Sequence, residues 1–362
     1  MEEEDINMKA QPSDETVVND ALEVLQRIRA VDKKRGYDRI VLPAKAQLRR
    51  KHLWQRIAAG AAVIAGISLG IGIWNDREGL TEMPLAEKIT DTIKTNQPKV
   101  RLILADHREV LLDSLSSEQI STTSGVMIYK KGQGISYESQ QQQPEREGEY
   151  HELIIPRGGE YDIVLEDGTH VWLNADSKLR YPVAFSGEER RVYLEGEAYF
   201  DVTKNNNKPF IVETDLGNVK VYGTEFNVKR YQEDKQLKAT LIKGSIGFSS
   251  DKITERKLKP GYQLSLTEGA KNPEIKQVKV YNEIAWRNKQ FNFENETLEE
   301  IARNLERWYD VKIIFDDPSL KELVFSGTLN RYGKINILLR FFEEGVDVKF
   351  QIENDTIKVM KK

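Results

Sequence analysis

Catalysis needs titratable and nucleophilic groups brought together, and this chain offers few candidates. Its four histidines, His52, His107, His151 and His170, are scattered through 362 residues, and no H-E-x-x-H or phosphate-cradling glycine loop occurs. Cysteine is absent, which excludes disulfides and thiolate metal or redox sites. The carboxylates mostly alternate with Lys or Arg, as on solvated strand faces. No metal or cofactor is expected, and conventional enzyme activity is not. One dipeptide has reactive spacing: Gly223-Thr224, within NVKVYGTEFNVKRY. A threonine hydroxyl can attack the carbonyl of the preceding residue when the backbone is strained, and glycine tolerates such strain, so the pair is a candidate for single-turnover self-cleavage. Spacing alone reads the same glycine as a β-bulge between two strands.

The elements around that dipeptide are organised by residues 57–74, IAAGAAVIAGISLGIGIW, eighteen positions without a charge. As a helix they span about 27 Å, the hydrocarbon thickness of a bilayer. A buried helix of a soluble protein usually keeps a polar face, whereas Ser68 is the one hydrogen-bonding side chain before Trp74. A signal peptide fits poorly, because the leader is long and no small-residue cleavage site follows. Lys45, Arg49, Arg50, Lys51 and Arg56 precede the span and Asp76, Arg77 and Glu78 follow it, which places the N-terminus in the cytoplasm and the C-terminus outside. Gly66 and Gly70 form a small-xxx-small pair of the kind that lets two helices approach. The expected organisation is a short α-helical cytoplasmic segment (1–56), a transmembrane helix in membrane lipid (57–74), a polar connector (75–98), an all-β domain (99–285) and a small α+β domain (286–362). A net charge of -4 with 31% charged residues of both signs describes a solvated surface and not a nucleic-acid-binding one.

In the cytoplasmic segment, Val18, Ala21, Leu22, Leu25 and Ile28 recur at helical spacing and make one apolar stripe. A helix of this length is marginal in water without a packing surface. The stripe packs either on residues 37–54, as a small hairpin, or in a groove of a cytoplasmic partner; the spacing leaves both open.

From residue 99 the rhythm changes to short alternating runs such as YDIVL, HVWLN, FIVET and NVKVYG, separated by Gly, Asp and Asn. At least ten such strands with no long helical pattern require an all-β domain of sandwich, jelly-roll or solenoid type. ADHREVLLDS (105–114) echoes EDGTHVWLNA (166–175), matching Asp106 with Asp167 and Val110 with Val171, so the domain is expected to contain two similar halves joined by the polar run at 140–143. Past Trp286 the order reads β-α-β-β-α-β-β, with Thr297 and Glu300 as a capping box for LEEIARNLERWY. The last strand, Thr356, Ile357, Lys358, Val359 and Met360, is expected to leave a sheet edge that a partner strand can join.

RGGEYDIVLEDGTHVWLNADSKLRYPVAFSGEERRVYLEGEAYFDV followed by KPFIVETDLGNVKVYGTEFNV resembles the periplasmic domain of FecR-like transmembrane anti-sigma factors. WRNKQFNFENETLEEI with RWYDVKIIF and FSGTL resembles their C-terminal domain. The resemblance covers most of the chain after Tyr150. It implies an inner-membrane relay: the cytoplasmic segment binds an extracytoplasmic-function sigma factor, and the C-terminal domain meets the signalling domain of a TonB-dependent outer-membrane transporter. Site proteases then release the cytoplasmic piece, and some relatives cleave themselves at a Gly-Thr bond matched here by Gly223 and Thr224. The departure from the family is the short N-terminal segment, which suggests folding with the partner. The alternative is a membrane-anchored periplasmic binding module, a β domain stacking glycans on exposed Trp172 and Tyr181.

Overall fold

Alternating Val, Ile, Leu and aromatic residues send every second side chain of most strands into a common interior, and between residues 101 and 277 they build two sheets around one hydrophobic core. The computed structural model describes residues 99–362 without 115–118, 122–126, 132–133 and 138–147. The expected cytoplasmic helix, the span at 57–74, the connector and the glutamine run at 140–143 lie outside the described residues. Among the described residues no helix is long and apolar enough to cross a membrane.

The first sheet runs Glu109–Leu111, Arg101–Ile103, Tyr150–Ile155, Ser177–Pro182, Arg190–Asp201, Phe210–Thr214, Gly217–Val221, Ile246–Ser250, Ile253–Leu258. The second runs Gln119–Ser121, Met127–Lys131, Gly134–Tyr137, Tyr161–Val164, His170–Leu173, Arg190–Asp201, Glu225–Arg230, Gln236–Lys243, Tyr262–Thr267, Glu274–Gln277. The twelve-residue strand Arg190–Asp201 belongs to both. Its first half pairs with Phe210–Thr214 and Ser177–Pro182, and its second half with His170–Leu173 and Glu225–Arg230. Gly196 sits at the change of partners with φ 102°, and a Cβ there would lie 2.6 Å from the Cα of Ser177. Only glycine accepts both the conformation and the approach.

The internal echo is structural. Leu104 N–H donates to Arg108 O and His107 N–H to Leu104 O, both at 2.9 Å, while Asp106 Oδ1 accepts from Arg108 N–H at 3.1 Å. In the second copy Leu165 N–H donates to Thr169 O at 2.9 Å, Gly168 N–H to Leu165 O at 3.0 Å, and Asp167 Oδ1 accepts from Thr169 N–H at 3.0 Å. The aspartate side chain closes each turn, and the residue after it takes a positive φ, 65° at His107 and 80° at Gly168. His107 is thus a turn residue. His170 lies on a strand, 2.7 Å from Asp162 and stacked on Trp172.

The C-terminal domain has a core of its own, centred on Ile301, Phe342, Val348, Ile357 and Val359. Helix α1 (Val280–Glu283) leads into Gln290–Thr297, then α2 (Leu298–Tyr309), Lys312–Phe315, Val324–Asn330, α3 (Ile335–Gly345), Val348–Glu353 and Thr356–Lys361, the expected β-α-β-β-α-β-β order. The capping box forms: Thr297 N–H donates to Glu300 Oε2 at 2.9 Å and Glu300 N–H to Thr297 Oγ1 at 3.3 Å. Gln290–Thr297 pairs with Val324–Asn330, and a second sheet has the order Lys312–Phe315, Thr356–Lys361, Val348–Glu353.

Within the β core one polar cluster stands among apolar side chains. Tyr137 Oη lies 2.6 Å from His151 Nδ1 and 2.8 Å from Tyr181 Oη, and His151 Nε2 is buried without a partner. Burial lowers the His151 pKa to about 4, so the folded chain keeps a neutral ring where the unfolded chain titrates near 6.5. Between these values the unfolded state binds the extra proton. Stability is therefore present above about pH 6.5 and is lost as pH falls toward 4, by about 3 kcal/mol from this residue. His151→Phe is expected to flatten that part of the pH dependence of the urea midpoint relative to the native chain; parallel curves contradict the assignment.

Candidate functional site

Gly223-Thr224 lies where the chain leaves one sheet for the other, between Gly217–Val221 and Glu225–Arg230. Gly223 has φ 145°, and a Cβ there would meet the Cα of Lys204 at 2.7 Å, so the position demands glycine. Thr224 is buried, and its hydroxyl donates to the carbonyl of Ser245 at 3.1 Å. A carbonyl orients the hydroxyl and leaves its proton in place. A register shift falls just beyond, between Glu225 and Phe226, so the bulge reading and the constrained backbone that acyl transfer needs coexist at this corner.

The sequence expectation of an open edge at Thr356, Ile357, Lys358, Val359 and Met360 is corrected by the pairing. Thr356–Lys361 is the middle strand, parallel to Lys312–Phe315 on one side and antiparallel to Val348–Glu353 on the other. Ile357 and Val359 are fully buried. The outer strands of this sheet each have a backbone donor closed by a carboxylate: Glu306 of α2 accepts from Ile313 N–H at 2.7 Å, and Glu343 of α3 from Phe350 N–H at 2.8 Å. Such guards blunt strand recruitment. Among the described residues Val324–Asn330 pairs only with Gln290–Thr297, and it exposes Val324, Ser326, Thr328 and Asn330.

The surface expected to stack sugars is absent. Tyr181 is 1% exposed, with its hydroxyl on Tyr137. Trp172 is held between His170 and the guanidinium of Arg287, 4.0 Å from its ring.

A further constellation of polar groups is one the sequence did not announce. The C-terminal domain covers the outer face of the second sheet, which is why strand positions 196–200 are buried on both faces. Arg331, 2% exposed, places its guanidinium 3.7 Å from the Trp308 ring and donates through Nη2 to Asn174 Oδ1. Asn174 Nδ2 donates to Glu197 Oε2 at 2.8 Å, Asn227 Nδ2 to Glu197 Oε1 at 2.9 Å, and Trp286 Nε1 to Asn227 Oδ1 at 3.3 Å. A second set centres on Arg307, 3.9 Å above the Tyr231 ring and 2.6 Å from Glu233 Oε1. Arg303 adds a contact to Asp234 at 2.9 Å. Burial raises the pKa of Asp234, but Lys229, Arg307 and Arg303 outweigh it and hold the carboxyl below its ordinary value. Glu296 differs: burial pushes it up to about 7 against the pull of Lys229 and Lys238. The available signal was Glu197, a charge inside the near-continuous apolar run YLEGEAYF.

Among the described residues no group of three or more His, Asp or Glu side chains is arranged to hold a metal ion. The FecR protein family model matches residues 152–247 and the FecR, C-terminal model residues 290–359. In both of these regions the chain is similar to FecR-like proteins. Two crystal structures of a candidate anti-sigma factor from Parabacteroides distasonis ATCC 8503 are similar to it, each with 28% identity and a TM-score of 0.55. They cover 58% and 59% of this chain and 99% of their own. No curated protein matches. These likenesses support an anti-sigma-factor role.

Deleting residues 351–362 removes the middle of the three-stranded sheet. The expected result is loss of amide-exchange protection across α2 and α3 while the β domain keeps its own; protected helices in the truncated chain contradict the strand order.

Proposed function

We propose that the chain is a single-pass inner-membrane anti-sigma factor that relays a signal from a TonB-dependent outer-membrane transporter to an extracytoplasmic-function sigma factor. The observation that carries this reading is the succession, on one chain, of a FecR domain and a FecR C-terminal domain, with a fold shared with candidate anti-sigma factors. An uncharged run at 57–74 with basic residues before it supports anchoring with the N-terminus inside. The stripe Val18, Ala21, Leu22, Leu25 and Ile28 is the sigma-binding element, folding against its partner. The transporter's signalling domain meets the C-terminal domain, and the exposed strand Val324–Asn330 suits strand addition better than the buried Thr356–Lys361. Site proteases complete the relay by releasing the cytoplasmic piece.

Two measurements test this reading. Residues 1–56 are expected to co-purify with a sigma factor, and Leu22→Asp with Leu25→Asp to abolish capture and change target transcription; retained capture with unchanged transcription refutes the assignment. For self-cleavage at Gly223-Thr224, the native chain is expected to separate on a denaturing gel into two fragments meeting at that bond, and Thr224→Ala to remain whole. An intact native chain, or cleavage that persists in the variant, rules out a threonine-driven break.

A further inference from the structure

Each domain encloses its own apolar core, and the contacts between them are of another kind. Arg331, Arg307 and Arg303 reach from the C-terminal domain to Asn174, Glu233 and Asp234, Lys229 Nζ donates to Asn304 at 3.2 Å, and Tyr332 donates to Glu160. A cavity of about 270 Å³ opens between the domains, bordered by Lys229, Lys238, Gln263, Glu296 and Asn304. Interfaces rich in paired polar groups and water separate far more readily than dry apolar ones, because each group regains hydration on parting.

Arg331 has an unusual position within this joint. Its Nε and Nη1 are buried without a hydrogen-bond partner, turned among the rings of Trp308, Phe291 and Trp286, whose centroids lie 3.7, 5.8 and 6.0 Å from the guanidinium carbon. The aromatic faces offset part of the lost hydration, but a buried guanidinium with two unpaired nitrogens keeps a cost that opening removes. The closed joint thus contains in one residue both a tether and a reason to open.

We infer that the joint is a clutch: the C-terminal domain engages and releases the outer face of the second sheet as a unit, with Arg331 as the latch and the Arg307–Glu233–Asp234 cluster as its second point of hold. Release uncovers Trp172, Tyr199, Glu197 and Asn227. The strand Glu225–Arg230, which begins one residue after Thr224, then loses the cover that Trp286 supplies to Asn227. The inference stands on the joint's geometry and is independent of the sigma-factor reading.

The chain has no cysteine, so Lys257→Cys and Glu344→Cys, both exposed positions in different domains, give two unique sites for spin labels. In the full chain solubilised in detergent, the labelled protein is expected to show one dominant inter-label distance. Arg331→Ala is expected to shift it to longer values while amide-exchange protection persists in both cores. The pair Glu233→Gln and Asp234→Asn, which lies in a turn of the β domain outside both cores, is expected to shift it in the same direction. An unchanged distance in both variants overturns the clutch, as does joint loss of protection in the two cores with either one.

Discussion

The fold depends on one continuous strand. Arg190–Asp201 is hydrogen-bonded into the first sheet over its first half and into the second over its remainder, so the two layers are held by covalent continuity as well as by packing. That arrangement is possible because Gly196 turns the strand with a positive φ and lets Ser177 come within contact of its backbone. Ser177 answers by accepting the Glu197 N–H at 2.9 Å, satisfying a donor that the change of partners leaves inside the protein. The face of this strand away from the core carries Glu197 and Tyr199, and on that face the C-terminal domain rests.

The two interfaces of the second sheet use different physics. On the inner side Phe200 stacks on Phe226 at 5.0 Å, with Phe210 nearby, and burial of apolar area stabilises the contact without regard to direction. On the outer side the contacts are directional: guanidinium over indole, amide to carboxylate, arginine to aspartate. The first kind fixes a domain. The second specifies a docking position, since its groups are satisfied in one geometry and are costly to leave half-paired. A sheet with one face of each kind is a natural boundary between a rigid body and a movable one.

What the sequence disclosed was local. The capping box at Thr297 and Glu300, the turn-closing Asp106 and Asp167, and the β-α-β-β-α-β-β order each depend on residues a few positions apart, and each forms. What it concealed was set by distant partners. Thr356–Lys361 looked terminal because it comes last in the chain, yet its parallel pairing with Lys312–Phe315 puts it in the centre. Tyr181 looked available for stacking because alternation does not say which face of a strand is inside. Arg331 reaches Asn174 across 157 positions, and no periodicity carries that information. The requirement for glycine at 223 was legible as chemistry; its cause, the close approach of Lys204, was not.

The paired turns around Asp106 and Asp167 bear on how this domain could be extended. Among the described residues the two sheets do not close on themselves; they finish on short outer strands, Glu109–Leu111 and Ile253–Leu258 in one, Gln119–Ser121 and Glu274–Gln277 in the other. A stack built from recurring turn-and-strand modules and left open at its ends can be lengthened or shortened by whole modules without rebuilding the centre. Adding or removing a module at an end would change the height of the stack while leaving in place the strand at Gly196 and the face on which the C-terminal domain docks.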